Sequence, residues 1–421
     1  MNSNSQVSAT EKPNWYKQMT VTEKRTFMAA FGGWALDALD FMVFTFVITT
    51  LISVFHIDKA QAGMLATITL LFSAIGGWLA GILADRFGRV RVLQFTILWF
   101  SVCTALIGFA QNFEQIFVLR ALQGLGFGGE WAVGSVLMGE IVRTEYRGRA
   151  VGTVQSGWAI GWAVAAILYT LSFSVLPEDY AWRALFWAGV VPALLVVFIR
   201  RKVPEPELFQ RTRKREAASA NPMSTWAIFS PALIRTTALS ALLCTGVQGG
   251  YYAVTTWLPT FLKTERHLSV IGTGGYLLVI IVGSLAGYLV GACLTDRLGR
   301  RANLLVFSVL SGACVFVYTQ LRLSNPQMLF LGFPLGFAAS GIFSGMGAYL
   351  TELFPSAVRA SGQGFAYNFG RGIGALFPSL VGYLAKTSGL GTAIGMFAGG
   401  AYLIVLIAAL LLPETKGREI A

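Results

Sequence analysis

Histidine is nearly missing from this chain: His56 and His267 are its only two. Charge is scarce as well. Asp, Glu, Lys and Arg make up 12% of 421 residues, about half the ~25% of an ordinary soluble domain. The four cysteines (Cys103, Cys244, Cys293, Cys314) fall inside apolar runs without CxxC spacing, so they read as small core residues, not ligands or disulfides. With both histidines near loops and no nucleophile–base set, neither a metal centre nor an enzyme site is expected. Acids number 20 against 32 basic residues, for a net charge of +12. That balance raises nucleic acid as a partner. The bases, however, sit in short clusters between long apolar runs, which excludes nucleic acid and makes the lipid bilayer the partner. The opening MNSNSQVSATEKPNWYKQ is polar and lacks an apolar core, so no signal peptide is expected.

What is abundant is apolar length. Hydrophobic residues make up 55%, mean hydropathy is +0.63, and 47 glycines suit helices that pack closely in a membrane. The fold class expected is an all-α polytopic membrane protein of twelve transmembrane helices. The predicted spans are Phe27–Ile52, a second ending at Ala84, Val92–Ala110, Phe113–Glu140, Arg149–Leu176 and Trp182–Ile199. After them come Ala232–Leu262, Ser269–Leu294, Asn303–Leu321, Met328–Phe354, Ala360–Ala385 and Thr392–Leu412. At ~1.5 Å per residue each run crosses a ~30 Å hydrocarbon core. The expected organisation is a tail (1–26), a six-helix bundle (27–199), a basic linker (200–231), a second six-helix bundle (232–413) and a short tail (414–421). Basic residues crowd alternate loops: Lys17, Lys24 and Arg25, then Arg86 to Arg91, Arg143 to Arg149, Arg200 to Arg215, Arg297 to Arg301 and Arg359. The intervening loops carry few, so both termini are expected in the cytoplasm of a multi-pass inner-membrane protein.

The two bundles repeat one another. Asp85-Arg86-Phe87-Gly88-Arg89 returns 211 residues later as Asp296-Arg297-Leu298-Gly299-Arg300. Glu140…Arg147 returns as Glu352…Arg359, and Pro204-Glu205 as Pro413-Glu414. Similarity at half the chain length marks a duplicated fold of two pseudo-symmetric halves. With the G-x-x-x-D-R-x-G-R loop ending the second span, the whole chain resembles a twelve-helix member of the major facilitator superfamily. That resemblance implies a gate at the cytoplasmic mouth. Asp85 is expected to meet the start of helix 11 near Arg359, Arg89 to pair with Glu140, and Asp296 to face helix 5 and Arg147. Arg86, Arg297, Arg300 and Glu352 complete the set. A carboxylate at a helix N-terminus gains ~0.3–1 kcal/mol when exposed, which suits a contact that breaks in every cycle.

Ionisable side chains at bilayer depth cost at least ~2.5–3.5 kcal/mol each and default to function. Helix 1 carries Asp37 and Asp40, one turn apart on one face and near mid-membrane. Two such carboxyls cannot comfortably both ionise, which suits proton coupling; a structural hydrogen-bonding pair is the plain alternative. Helix 4 adds Arg120, Gln123 and Glu130. Arg120 is a fixed cation able to pair with Asp37 or Asp40, or with an anionic substrate. Glu130 is a further proton carrier or a structural partner of helix 1. Helix 11 adds Tyr367, Asn368 and Arg371, and Arg371 is either an anion ligand or a structural arginine. Gln155 and Trp158 on helix 5, and Gln248, Tyr251, Tyr252 and Thr255 on helix 7, form a polar and aromatic band expected to face a cavity. GLGFGG in helix 4 has no preceding strand and reads as helix packing, not a dinucleotide loop.

Leu36, Asp37, Asp40 and Phe41 match the L-D-x-x-D-F pattern of the sialate–proton symporter family, and GGEWAVG…RGRAVGTVQSGWAIG is similar to carboxylate–proton symporters that include aromatic-acid carriers. This implies a proton-coupled importer of a small organic carboxylate: a monocarboxylate, a dicarboxylate such as muconate, or an aromatic acid. It would act as a monomer, with the proton as coupling ion and no other cofactor. Ala38 stands where relatives have glycine, so a tighter pocket is expected there. A sugar–proton symporter is the first rival, because Pro413-Glu414-Thr415-Lys416-Gly417-Arg418 resembles the sugar-porter C-terminal motif. A drug–proton antiporter ranks next; its Gly-Pro kink is missing from Gln155–Ala166.

Overall fold

The computed structural model describes residues 15–57, 59–217, 225–267 and 270–418. Residues 1–14 and 419–421 of the expected tails, Asp58, residues 218–224 of the expected linker, and Ser269 lie outside the described residues. Among the described residues the regular structure is helical throughout.

The first half comprises α1 (Trp15–Gln18), α2 (Val21–Phe55), α3 (Lys59–Phe87), α4 (Arg89–Ile107), α5 (Phe113–Ile141), α6 (Arg147–Gln155), α7 (Gly157–Val175), α8 (Glu178–Trp187) and α9 (Val191–Lys202). A connecting helix, α10 (Glu207–Ala217), follows. The second half comprises α11 (Ile234–Thr264), α12 (Val270–Leu298), α13 (Arg300–Gln320), α14 (Asn325–Leu353), α15 (Arg359–Gly374), α16 (Phe377–Ser388) and α17 (Leu390–Leu411). The pairs α6–α7, α8–α9 and α15–α16 each make one crossing, giving twelve.

Local chemistry sets several ends. α2 begins before its apolar run because Thr20 and Glu23 form a reciprocal capping box. The α3–α4 and α12–α13 turns pass through Gly88 (φ 110°) and Gly299 (φ 107°), a backbone region that favours glycine. Pro192 in the first turn of α9 and Pro378 in that of α16 lack the N–H that a continuous helix would use. These breaks, the one at Ser156 and the helix within the linker depart from the expectation of twelve unbroken spans.

Eight helical stretches are long and apolar enough to cross a membrane by length and composition. The fourth (α5), sixth (α8–α9), seventh (α11) and eleventh (α15–α16) crossings are not among them. Three of these four carry the polar load: Arg120, Gln123 and Glu130 on α5; Gln248 and its neighbours on α11; Gln363, Asn368 and Arg371 on α15. Within the first half α2 packs on α7, and α3 and α4 on α5; within the second, α11 and α13 pack on α17 and α12 on α14. The halves meet where α3 lies along α15 and where α6 lies along α12 and α14. A Cβ at Gly128 would fall 1.8 Å from the Ser73 carbonyl oxygen, so the GLGFGG string is a contact between α5 and α3.

Candidate functional site

Two layers of buried charge lie at different depths. The first closes the end of the bundle that carries both chain termini. Arg89 donates through Nε and Nη2 to both Glu140 oxygens (3.2 Å each), and Arg359 of the other half donates Nη1 to Glu140 Oε1 at 3.2 Å. Asp85 Oδ2 accepts the Ser361 backbone N–H at 2.8 Å, together with the Ser361 hydroxyl, at the N-terminus of α15. The second half mirrors this. Arg300 donates to Glu352 at 3.0 and 2.8 Å, Arg147 crosses to Glu352 at 3.3 Å, and Asp296 accepts the Arg149 N–H at 2.8 Å. Asp85, Arg89, Glu140 and Arg359 thus form one cluster, and Arg147, Asp296, Arg300 and Glu352 a matching one, each straddling the halves. Arg86 and Arg297 lie at its rim with exposed side chains.

Two carboxylates beyond the expected gate set hold this layer together. Glu205 accepts the backbone N–H groups of Arg89, Val90 and Arg91 at the start of α4, at 2.9 to 3.2 Å. Glu414 accepts those of Arg300 and Arg301 at the start of α13, at 2.9 and 3.0 Å. Each occupies the unpaired N–H groups of a helix start. A Cβ on Gly88 would lie 2.5 Å from Glu205, and one on Gly299 2.6 Å from Glu414. The glycine of D-R-x-G-R thus serves both the turn and the cap. Burial pushes the Glu205 carboxyl above its ordinary value of 4.5, against the pull of those three N–H bonds. The Pro-Glu repeat in the sequence was the signal for this pair; its partners were not readable from spacing.

The C-terminal hexapeptide is used up in the same layer. The Pro413 carbonyl accepts the Tyr349 hydroxyl at 2.6 Å, and the Thr415 hydroxyl donates to Glu352 at 2.6 Å. Lys416 Nζ donates to the Arg297 carbonyl at 2.7 Å, and the Arg418 carbonyl accepts Arg147 Nη1 at 3.4 Å.

The second layer lies near mid-bundle, and there the expected pair of aspartates divides. Asp40 Oδ2 accepts Gln123 Nε2 at 2.6 Å, and Gln123 Oε1 accepts Arg120 Nη1 at 2.8 Å. Gln123 also donates to the Thr104 hydroxyl at 2.6 Å, and the Arg120 guanidinium lies 3.8 Å from the Phe44 ring centroid. Arg120 therefore reaches Asp40 through Gln123 and is held among α2, α3, α4 and α5.

Asp37 is arranged differently. It is fully buried, and neither carboxyl oxygen has a hydrogen-bond donor among the described residues. It lies beside the Glu130 carboxyl of α5 and within the field of the Arg371 guanidinium of α15. Arg371 is 2% exposed, with Nε and Nη1 unpartnered among the described residues. It sits over the Phe127 and Tyr367 rings, 5.0 and 5.1 Å from their centroids, and beside Tyr252. The Tyr252 and Tyr367 side chains bond to part of this guanidinium, and Nε and Nη1 remain as open donors of fixed charge.

Rings enclose this centre. Trp158 lies 5.0 Å from Trp34 and 5.8 Å from Phe41, and Tyr251 lies 5.2 Å from Phe343. Trp131 stacks on Tyr367 at 3.8 Å and 12°, closing the space between the halves just above the ionic layer. Trp131 was not among the candidates; its place beside Glu130 in GGEW was the available clue. Its indole N–H donates to Gln155 at 2.5 Å, and Gln155 donates to the Phe343 carbonyl across the halves at 3.4 Å. Gln248 Nε2 donates to the Tyr367 carbonyl at 2.7 Å, and Asn368 to the Gly364 carbonyl at 3.0 Å; among the described residues the amide oxygen of each is unpartnered. Thr255 turns back to the Tyr251 carbonyl at 2.9 Å and is satisfied within its own helix. Ala38 departs from expectation: a Cβ on Gly161 of α7 would lie 2.7 Å from the Ala38 methyl, so Ala38 packs against α7 instead of narrowing a pocket around Asp37.

The family model described as Major Facilitator Superfamily matches residues 30–292 and 277–420. A probable 4-methylmuconolactone transporter of Cupriavidus pinatubonensis is 43% identical over 96% of this chain and 93% of its own. The cis,cis-muconate transport protein of Acinetobacter baylyi is 33% identical over 94% and 95%. The niacin transporter NiaP of the same organism is 31% identical over 92% and 93%. Among solved structures, the proton:xylose symporter XylE bound to 6-bromo-6-deoxy-D-glucose superposes with a TM-score of 0.80 at 18% identity, over 95% of this chain and 98% of that one. That likeness concerns the fold.

Proposed function

Because the chain belongs to the Major Facilitator Superfamily and is a multi-pass membrane transporter, not an enzyme, we propose that it imports a small organic carboxylate together with protons by alternating access. Arg371 carries this reading: a buried guanidinium whose Nε and Nη1 are open among the described residues, within the field of the Asp37 and Glu130 carboxyls. It offers a carboxylate a fork of fixed charge in a low-dielectric site. Asp37 and Glu130 lie close enough to bond through a shared proton, and a proton taken there offsets the charge of an arriving anion. The relative named for cis,cis-muconate supports an organic anion as cargo. The basic loops support a cytoplasmic position for the terminal end of the bundle in an inner-membrane protein.

The cycle follows from the two layers. With the ionic layer closed, the centre loads from the opposite side. A carboxylate on Arg371 and a proton on Asp37 or Glu130 leave the site near neutral, which lowers the cost of the halves rocking past one another. The ionic layer then parts and the cargo leaves inward. The sugar alternative loses its main support, since residues Pro413–Arg418 are occupied in bracing Glu352 and α13 and report nothing about cargo.

The test is uptake by purified protein in liposomes under an imposed pH gradient, against mono- and dicarboxylates, aromatic acids and sugars. Accumulation of a carboxylate, driven by an acidic exterior and collapsed by a protonophore, is expected. Gradient-independent transport, or preference for an uncharged sugar, overturns the reading.

A further inference from the structure

A cavity with room for a single water molecule is lined by Ala30 and Trp34 of α2, Glu130, Trp131, Gly134 and Ser135 of α5, and Val151, Val154 and Gln155 on α6. Its walls belong to the first half alone. Relative to Glu130 it extends toward the terminal end, since Gly134 and Ser135 follow Glu130 by one turn of α5, and Ala30 precedes Asp37 by two turns of α2. Glu130 Oε1 is buried without a donor among the described residues. It lies where a Cβ on Gly33 would be, at 2.1 Å, and 3.5 Å from where a Cβ on Gly134 would be. Two residues without side chains thus leave room for this carboxyl to turn. Its charged neighbours are Asp37 from α2 and Arg371 from α15; the α6 wall offers only the neutral Gln155. Meanwhile the way between the halves is sealed by Trp131 on Tyr367 and by the Gln363–Ser135 hydrogen bond below it.

We propose that Glu130 is the proton-release group and that this cavity within the first half is its exit, so that proton and cargo leave by separate routes. Asp37, facing Arg371, exchanges its proton with Glu130. Glu130 turns from Asp37 into the cavity and hands the proton to water admitted from the terminal side. No net charge crosses the Trp131–Tyr367 contact in that step. The inference rests on the proton-coupled reading above and adds the route.

Ala30→Leu fills the cavity from α2, two turns before Asp37. Gly134→Ala is the milder companion, since its new methyl meets only ordinary contacts at 3.5 and 3.9 Å. Both are reconstituted in liposomes alongside wild type, with muconate as probe cargo, matched for incorporation by elution profile. Gradient-driven accumulation is expected to fall by about tenfold or more in Ala30→Leu, as when a positioned proton-transfer group is lost, and less in Gly134→Ala. Exchange of labelled for unlabelled muconate, which needs no proton release, should stay within about twofold of wild type. Equal loss of accumulation and exchange overturns the separate route, as does unchanged accumulation in both variants. A wild type that exchanges muconate but never accumulates it under a gradient removes the coupled reading itself, and the route with it.

Discussion

The carboxylates at the terminal end and the Asp37 and Glu130 carboxyls at mid-bundle are all largely buried but oppositely treated. Glu140 and Glu352 each receive guanidinium donors from both halves, and Asp85 and Asp296 each cap a helix across the interface. Asp37 and Arg371 feel one another's charge at mid-bundle, with both Asp37 oxygens and the Arg371 Nε and Nη1 unpartnered among the described residues. Saturated charge is what a closed contact needs: each donor lost on opening is one that water or a neighbour replaces. Unsaturated charge is stable only if something that comes and goes completes it. The same residue types therefore mark a gate at one depth and a binding centre at the other. Completeness of partners distinguishes them, and residue identity does not.

Arginine gives the sharpest way to break that contrast. Arg371→Ala is expected to lower carboxylate uptake by about 10²-fold, the loss of a charge-assisted contact to cargo, while leaving the melting temperature of the purified protein nearly unchanged. Arg120→Met should do the reverse. It strips Gln123 and Asp40 of a fixed partner, and breaking such a buried set costs about 3–5 kcal/mol, read as a clear drop in melting temperature. If both substitutions abolish uptake without destabilising the protein, the division between open and closed arginines fails.

The aspartates repeat the test at smaller scale. Asp37→Asn should reduce gradient-driven accumulation by about 10²-fold while sparing exchange. Asp40→Asn keeps an oxygen for Gln123 and should change accumulation only about two- to threefold. Equal effects at both positions would mean that the pair acts as a unit.

These distinctions show where sequence stops being informative. The expected partners of Asp85, Arg89, Glu140 and Asp296 correspond to contacts in the structure, because the duplicated spacing carries register from one half to the other. Eight crossings are legible from apolar length, and the other four from their counterparts in the repeated half. Three breaks were not: at Ser156, at Ala188–Val190 and between α15 and α16, a tertiary fit outweighs a continuous apolar run. Position along a helix gives depth but not the neighbour across it. Arg120 and Arg371 consequently looked alike, and Asp37 and Asp40 looked like one pair. Ala38 was read as a pocket wall for the same reason. The structure turns it toward Gly161.

The gate can be sharpened next. Asp85→Asn keeps an oxygen for the Ser361 N–H and hydroxyl but removes the negative charge at the start of α15. Losing that charge should cost the closed state about 0.3–1 kcal/mol, up to ~2 where shielded, so labelling of thiols introduced along the terminal end should rise a few-fold. Unchanged labelling would mean that the contact is decorative and that Glu140 with Arg359 closes this side alone.

The smallest effect concerns Glu205, the carboxylate that caps α4 without crossing between halves. Burial raises its folded-state value above the ordinary 4.5, and the three backbone N–H groups only partly oppose this. A carboxyl raised on folding favours the protonated form, so its contribution to stability is present at low pH and fades as pH climbs through the folded-state value. Glu205→Gln offers an oxygen to the same N–H groups but no titrating proton. Relative to the variant, wild type should therefore lose melting temperature as pH rises from 4.5 toward neutrality, with no change in transport at fixed pH. The opposite slope would mean that the helix start outweighs burial and that this cap, like the gate carboxylates, is held as a full anion.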